Sequence, residues 1–233
     1  GQNNVQGAAD MGCQPHQGAG YFPVADKKIQ DFYTEKYGVV HPTKAGLKIP
    51  EIFDAAINRE VKALWIIGED VVQTDPNSAH VAKAMNALDL LVVQEIFLSE
   101  TAKHADVVLP GTTFLEKEGT FTNTERRVQR VNRAAKPLPG TKPDGVIVTD
   151  MMQKLGYDQK SYDADEVLAE IADVVPFFKG ITRKRLGKLG LQWPVKEDGT
   201  DTKILHQKEF KLGKGRIKYF DWKESSEIEK NKK

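Results

Sequence analysis

Cysteine is nearly absent from this sequence of 233 residues, in which Cys13 is the one thiol. A single cysteine excludes an intrachain disulfide and any metal cluster whose ligands are all thiolates of this chain. Long apolar runs are missing as well, because runs such as Leu90–Val93 are far shorter than the roughly 20 residues that cross a bilayer. No secretory signal is visible. We therefore expect neither a disulfide framework nor a membrane span.

An excess of one charge is also lacking, since 34 basic residues face 33 acidic ones and the net charge is +1. No global field favours nucleic acid or a membrane surface, and the acidic neighbours of Arg183–Lys188 indicate a solvated face. The histidines are scattered without the spacing of zinc ligands: His16, His41, His80, His104 and His206. We therefore expect no nucleic-acid partner, and no metal ligand is assigned to this chain.

The apolar periodicity predicts an α/β fold. Three short apolar runs are predicted as strands: Val61–Ile67, Leu90–Gln94 and Asp106–Leu109. Helical spacing precedes or separates them, over Lys28–Tyr37, from Pro50, over Ser78–Leu88 with Ser78 as cap, and over Ser99–Ala105. Near-continuous apolar strands separated by helices are typical of a parallel sheet with helices on its faces. We predict a Rossmann-like αβα layer with a mostly parallel sheet over residues 1–113.

Ligands of such sheets bind in the crevice beyond the carboxyl ends of the strands. The residues that follow the predicted strands are therefore candidate site residues: Gly68, Glu69, Asp70 and Thr74 after the first, Gln94 and Glu95 at the second, and Pro110–Thr113 after the third. They offer acceptors, amides or small residues where a nucleotide would lie. The first turn lacks a G-x-G-x-x-G pattern, so a nicotinamide or flavin dinucleotide is not indicated.

Asp70 is the candidate for binding guanine, because a carboxylate accepts from the ring N–H and the exocyclic amine together. Thr74 would bind the base or ribose, while Gln94 and Glu95 would bind ribose or phosphate-linked groups. The structural alternative is that Asp70 and Thr74 only cap a loop or the following helix. The residues alone leave both interpretations open.

The first eleven residues, Gly1–Met11, are rich in side-chain amides and glycine and have almost no apolar periodicity. This composition predicts an extended loop whose polar groups, including Gln2, contact a cofactor. A disordered terminal tail is the alternative.

Four motifs in the same order carry a resemblance to a known family. They are the opening Gly1-Gln-Asn-Asn-Val-Gln-Gly7 with Asp10-Met-Gly12, the turn Ile67-Gly-Glu-Asp70, the run Ala105-Asp-Val-Val-Leu-Pro110, and the segment Leu115–Gln129. With them the chain resembles the molybdopterin-guanine-dinucleotide oxidoreductases, and among these the catalytic subunit of molybdenum- or tungsten-dependent formate dehydrogenases. The resemblance covers nearly the whole chain and weakens from about Tyr157, with Leu191-Gln-Trp-Pro194 as a late recurrence.

The resemblance implies a bis-molybdopterin guanine dinucleotide cofactor with molybdenum or tungsten, which carries the redox chemistry of formate and carbon dioxide. It assigns one guanosine to the turn after the first strand, where Gly68 and Glu69 shape the turn that presents Asp70 and Thr74. The other matched cofactor positions are Gln94, Glu95, the backbone N–H of Gly111, and Asp144 for the second guanine, with Gln2 close to the metal pocket. Relatives more often have aspartate in place of Glu95 and serine in place of Gly111.

The departures from the family are equally informative. Relatives carry the formate-orienting arginine, the selenocysteine or cysteine metal ligand and four cluster cysteines in segments upstream of those matched here, and Cys13 is no substitute. The resemblance thus implies an internal piece of a larger catalytic polypeptide, inactive alone, with an iron–sulfur cluster elsewhere in that polypeptide. Its implied partners are electron-transfer iron–sulfur subunits, and its implied location is cytoplasmic. A non-catalytic electron-transfer or scaffold homologue is one alternative, and a free-standing nucleotide-binding module is another.

For the second half, the family architecture implies an irregular and mainly helical segment over residues 114–206, followed by a linker over 207–233 toward a further domain. Lys117–Arg130 is expected to be an irregular polar passage. Helical periodicity predicts helices over Asp144–Leu155 and Ala164–Val174, and Phe177 and Phe178 are expected in the core.

Overall fold

The computed structural model describes residues 3–210 and 213–223 of the chain. The chain divides into two compact units, residues 1–201 and 202–233, which are described separately. Among the described helices, none combines the length and apolarity that a membrane crossing needs. The domain boundaries predicted after residues 113 and 206 remain predictions.

The first unit begins with helix α1 (Val5–Asp10), so the extended loop expected for this segment is wrong. Tertiary hydrogen bonds outweigh the poor helix propensity of its amides and glycine. Gln6 Nε2 donates to Asp10 Oδ1 one turn later at 2.9 Å and to the Tyr21 hydroxyl at 2.8 Å. Gly7 packs so closely on Asn4 that a Cβ would lie 2.3 Å from Asn4 Oδ1.

Asp10 anchors α1 to a distant part of the same unit. Its fully buried carboxylate accepts from the Tyr21 hydroxyl at 2.8 Å and, through the other oxygen, from Trp193 Nε1 at 2.8 Å. Burial raises the pKa of Asp10, while these donors and Gln6 partly oppose that shift. The carboxylate therefore joins segments 183 residues apart.

A short antiparallel ribbon of β1 (Gln17–Gly18) and β2 (Phe22–Pro23) leads into α2 (Lys27–Tyr37) and α3 (Ile49–Ile57). Gly38 ends α2 in the left-handed conformation at φ 68°, as predicted. Pro50 lies in the first turn of α3, where its missing N–H costs no helical hydrogen bond.

Three parallel strands form the central sheet in the order β3 (Ala63–Ile67), β4 (Leu90–Glu95) and β5 (Val107–Pro110). This confirms the predicted α/β class and the parallel pairing. Helices α4 (Val71–Thr74) and α5 (Ser78–Ala87) connect the first two strands.

Two local predictions about these connections are wrong. Ser78 is not the cap of α5, because Asn77 precedes the helix at φ 62° without a side-chain capping bond. The predicted helix Ser99–Ala105 is a single 3₁₀ turn over Thr101–His104, held by the side chain of Asp70.

The first hydrophobic core lies on one face of this sheet. Successive strand residues point to opposite faces, and Ile66, Leu91 and Val93 pack with buried residues of α3, α4 and α5: Phe53, Ala56, Val71, Val81, Ala84 and Met85. On the other face, Ile67, Leu90 and Val107 are 48%, 43% and 43% exposed. Helices α3 and α5 thus bury one face of the sheet, and much of the other face is exposed.

The passage expected to be irregular between Lys117 and Arg130 is instead a β-hairpin, so that prediction is wrong. Strands β6 (Gly119–Thr122) and β7 (Arg127–Val131) pair antiparallel, and β8 (Leu191–Gln192) adds to β7. Asn123 closes the turn, since its Oδ1 accepts from the N–H groups of Glu125 and Arg127 at 3.1 and 3.0 Å.

The second core joins this hairpin to α7 (Ala164–Val174), α8 (Arg183–Leu186) and the N-terminal segment. Helix α6 (Asp144–Lys154) precedes α7 in the chain. The bounds of α6 and α7 confirm the predicted helices. Asp163 caps α7 by accepting from the N–H groups of Asp165 and Glu166. Buried members of this core come from both halves of the chain: Tyr33, Val128, Leu168, Val174, Val175, Phe178, Ile181, Leu186 and Val195.

The second unit has no helix or strand among its described residues, 202–210 and 213–223. His206 and Phe210 contact each other with ring centroids 5.4 Å apart. Several apolar side chains in this unit are exposed: Ile204, Phe210, Ile217, Tyr219, Phe220 and Trp222.

Candidate cofactor-binding site

The carboxyl ends of the three parallel strands form one continuous edge. The N–H of Gly68 donates to the carbonyl of Gln94 at 2.9 Å, and that of Gly111 donates to the carbonyl of Glu95 at 3.0 Å. Gly68 turns the chain away from β3 at φ 64°, a conformation that glycine adopts without strain. Four candidate residues predicted from separate segments therefore lie side by side.

Asp144, which begins α6, reaches the same edge. Gln94 Nε2 donates to Asp144 Oδ1 at 2.8 Å across 50 residues of sequence. Gly111 leaves room for this carboxylate, because a Cβ at that position would lie 3.1 Å from Asp144 Oδ1. The other carboxylate oxygen forms an ion pair with Lys117 Nζ. The structure thus brings together Gln94, Gly111 and Asp144 and adds Lys117, which the sequence did not single out.

Two buried polar atoms at this edge have no partner among the described residues. Gln94 Oε1 and Thr112 Oγ1 lie in side chains that are each 1% exposed, and neither makes a hydrogen bond. A buried acceptor or hydroxyl without a partner costs about 1–3 kcal/mol, so these two atoms are candidates for hydrogen bonds to a bound ligand or to water. An amide oxygen, a hydroxyl and a carboxylate together suit a ligand rich in N–H and O–H donors, as a guanosine is.

Asp70 lies at the same edge but makes internal bonds. Its Oδ1 accepts from the N–H and hydroxyl of Thr101 at 2.9 and 2.6 Å, and its Oδ2 accepts from Gln73 Nε2 at 2.6 Å. Burial alone would raise the pKa of Asp70, but the hydrogen bonds from Thr101 and Gln73 outweigh it and lower the pKa. Asp70 therefore holds the 3₁₀ turn against the loop after β3, which was the structural alternative for this residue.

Glu69 and Thr74 form a second, more open pair in that loop. The Thr74 hydroxyl donates to Glu69 Oε1 at 3.0 Å, and the Thr74 side chain is exposed. Glu95 is folded back onto its own loop, where its Oε1 accepts from the N–H of Ile96 at 2.7 Å. Gln2, the candidate for the metal pocket, lies outside the described residues.

A cavity of about 270 Å³ opens beside Asp144 and Lys117. Its walls come mainly from the hairpin and α7 and are largely apolar. Tyr162 lies over Gly145 so closely that a Cβ there would lie 2.2 Å from the ring. Burial raises the pKa of the Tyr162 phenol, and the neighbouring Asp144 carboxylate raises it further. No periodic pattern in the sequence indicates this cavity, because its lining residues come from five separate segments.

Within the described residues, no group of three or more histidine, cysteine, aspartate or glutamate side chains is arranged to hold a metal ion.

Comparison with known proteins identifies the family. A family profile described as "Molybdopterin oxidoreductase" matches residues 2–154, and the chain belongs to that family. The chain is 44% identical to the F420-dependent formate dehydrogenase subunit alpha of Methanocaldococcus jannaschii, over 98% of this chain and 34% of that protein. It is 40% identical to the "Probable oxidoreductase YjgC" of Bacillus subtilis, over 98% of this chain and 24% of that protein.

The chain thus spans about a third or less of the length of these curated relatives. Among solved structures, acetylene hydratase from Pelobacter acetylenicus matches 67% of this chain and 22% of its own, with 19% identity and a TM-score of 0.49. Membership of the family and the name of the Methanocaldococcus jannaschii relative confirm the resemblance to formate dehydrogenase alpha subunits.

Proposed function

We propose that this chain binds the guanosine ends of a bis-molybdopterin guanine dinucleotide, with molybdenum or tungsten, as part of a formate dehydrogenase catalytic polypeptide. The observation that carries the proposal is the meeting of Gln94, Gly111 and Asp144 at the strand-end edge, beside buried polar atoms without a partner in the described part of the chain. Such an edge is where open α/β sheets bind nucleotides. The metal centre of the bound cofactor would supply the two-electron chemistry of formate oxidation or carbon dioxide reduction.

The residues would have different roles. Asp144, oriented by Gln94, would accept from one guanosine, and Gly111 would let the ligand and the carboxylate approach the backbone. The loop Gly68–Thr74 would bind the other guanosine, with Glu69, Asp70 and Thr74 as its polar groups. Because both oxygens of Asp70 already accept internal bonds, Glu69 is its direct rival for the base. To bind the ribose, the Glu95 carboxylate would have to give up its hydrogen bond from the N–H of Ile96. Gln2 would lie near the metal pocket.

The remaining parts of the reaction would come from outside this sequence. One cysteine cannot supply the four thiolates of an iron–sulfur cluster, so the cluster and the metal ligand would belong to other segments of the catalytic polypeptide. We propose electron-transfer iron–sulfur subunits as partners, formate or carbon dioxide as substrate and the cytoplasm as location.

The proposal is tested by measuring pterin and metal content in the full-length enzyme that carries single substitutions. Asp144→Ala and either Asp70→Ala or Glu69→Ala are expected to purify with much less of both. Asp75→Ala in the same loop is the matched control and is expected to retain the cofactor.

The outcomes separate the assignments. Cofactor loss in Glu69→Ala but not in Asp70→Ala places the first base contact on Glu69. Full cofactor content in Asp70→Ala, Glu69→Ala and Asp144→Ala would contradict nucleotide binding at this edge.

A further inference from the structure

The ion pair between Lys117 and Asp144 lies where both side chains can form hydrogen bonds with a ligand. The two side chains are 27% and 35% exposed, so the pair is neither buried away nor freely solvated. Lys117 pairs with Oδ2 of Asp144, and Gln94 donates to Oδ1 of the same carboxylate. The bond from Gln94 fixes the orientation of the Asp144 carboxylate. Lys117 and Asp144 both line the cavity beside α6, so an ammonium and a carboxylate lie next to each other at its wall.

The cavity itself has the character of a site for one flat ring. Its volume of about 270 Å³ is slightly below the range of roughly 300–1,000 Å³ typical of sites for whole drug-sized ligands. The lining is mostly apolar and includes one aromatic ring beside Gly145: Met11, Phe121, Val131, Tyr162, Leu168 and Ile171. An aromatic ring buried among aliphatic side chains stacks well on a nucleobase. Such a cavity accommodates a base and leaves its ribose and phosphates outside.

The charge pattern at the wall distinguishes between purines. The Watson–Crick edge of guanine presents O6 as an acceptor beside the N1–H and N2–H₂ donors, whereas adenine presents an N6–H₂ donor beside the N1 acceptor. An ammonium only donates and a carboxylate only accepts, so Lys117 and Asp144 match guanine and oppose adenine at both positions. A carboxylate has about four acceptor positions, and those of Asp144 receive only the bonds from Gln94 and Lys117 among the described contacts.

We propose that this cavity is a guanine subsite and that Lys117 is its specificity-determining residue, which donates to O6 while Asp144 accepts from the adjacent N–H groups. The proposal rests on the proposed function, because it takes the strand-end edge to be where the guanosine dinucleotide binds. It adds Lys117, Tyr162 and the cavity to the site and assigns the choice of base to the ion pair.

The test measures the binding of GDP and ADP to the 233-residue chain by equilibrium dialysis at one fixed salt concentration. The unsubstituted chain is expected to bind GDP more tightly than ADP. Lys117→Met, which keeps the length of the side chain but removes its charge, is expected to weaken GDP binding about tenfold, the effect of losing one charged hydrogen bond. ADP binding by this variant is expected to change less than about twofold, because no such bond exists there.

Two further variants serve as controls. Lys142→Met removes the lysine of another ion pair, between Lys142 just before α6 and Asp150 on it, and is expected to leave the binding of both nucleotides unchanged. Lys117→Arg retains a cationic donor and is expected to keep the preference for GDP. A circular dichroism spectrum of each variant checks that the fold is intact.

Other results would overturn the inference. If Lys117→Met weakens the binding of GDP and ADP equally, Lys117 attracts phosphate without distinguishing the bases. If the variant keeps the preference for GDP unchanged, Lys117 is not part of the site. Loss of the GDP preference in Asp144→Asn together with its retention in Lys117→Met would refute the role of Lys117 and leave the proposed function standing. Normal pterin content in all three full-length variants Asp70→Ala, Glu69→Ala and Asp144→Ala would instead refute the proposed function at this edge.

Discussion

Asp70 is expected to contribute to stability far more than its place on a loop suggests. In Asp70→Ala, the N–H and hydroxyl of Thr101 lose a charged acceptor, and the Thr101 side chain is completely buried. Hydrogen bonds to a charged group contribute about 1.5–3 kcal/mol, and an unsatisfied buried donor costs about 1–3 kcal/mol. The two losses overlap in part, because the lost bonds and the unsatisfied donors concern the same groups of Thr101; the bond from the N–H of Val72 to Thr101 Oγ1 remains. We expect the free energy of unfolding to fall by about 3 kcal/mol.

The assay is urea unfolding followed by far-ultraviolet circular dichroism, with Asp75→Ala as the control. Asp75 accepts only a long contact of 3.4 Å from the Thr74 hydroxyl, and its loss is expected to cost less than about 0.5 kcal/mol. Because the pKa of Asp70 is lowered below its ordinary value of 3.8, its contribution is complete above that value and is lost as the pH falls through the folded-state pKa. The difference between the chain and its Asp70→Ala variant should therefore shrink at acid pH. A loss below about 1 kcal/mol at neutral pH would refute this reasoning.

Three other predictions follow from the sequence and the fold. The purified 233-residue chain, given the cofactor, is expected to show no formate-dependent dye reduction, and any such activity would contradict its assignment as one part of a larger site. The Tyr21 phenol, whose pKa is raised to about 12 by burial and by the bond to Asp10, is expected to titrate at lower pH in Asp10→Asn when followed by ultraviolet absorbance. Gly180→Ala places a Cβ 1.8 Å from the backbone oxygen of Lys196 and is expected to lower stability by at least about 2 kcal/mol, whereas Gly46→Ala, with 3.7 Å of clearance, should lower it far less in the same urea assay.

Local patterns predicted those elements whose residues carry their own signal. The strands β3, β4 and β5 are short apolar runs bounded by glycine, proline or aspartate, and α7 has both a capping aspartate and helical spacing. The hairpin of β6 and β7 was missed because its stabilising partners lie far away in sequence. Asn4 Oδ1 accepts from the N–H of Thr122, and β8 pairs with β7 some 60 residues later. A pattern within a few residues contains neither contact.

The candidate site was predictable as a set of residues but not as an arrangement. The resemblance assigned Gln94 and Asp144 separately, and only the fold shows that one donates to the other. Lys117 was missed because a lysine between two glutamates is typical of a solvated face. The roles of Asp70 and Glu69 could not be separated either, since adjacent carboxylates look alike until the position of Thr101 is known.

The composition of the second core also has a consequence for the order of folding during synthesis. Its early members, such as Tyr33, pack with residues as late as Val195, while the buried members of the first core lie between residues 53 and 102. At about 5–20 residues per second, a ribosome needs roughly 10 s or more to make the intervening 160 residues. During that interval the sheet and its helices can form, but Tyr33 has only its local aromatic neighbours, such as Phe22 and Tyr37, to pack against. The second core is therefore completed only when the chain has been synthesised as far as Val195, well after the first core can close.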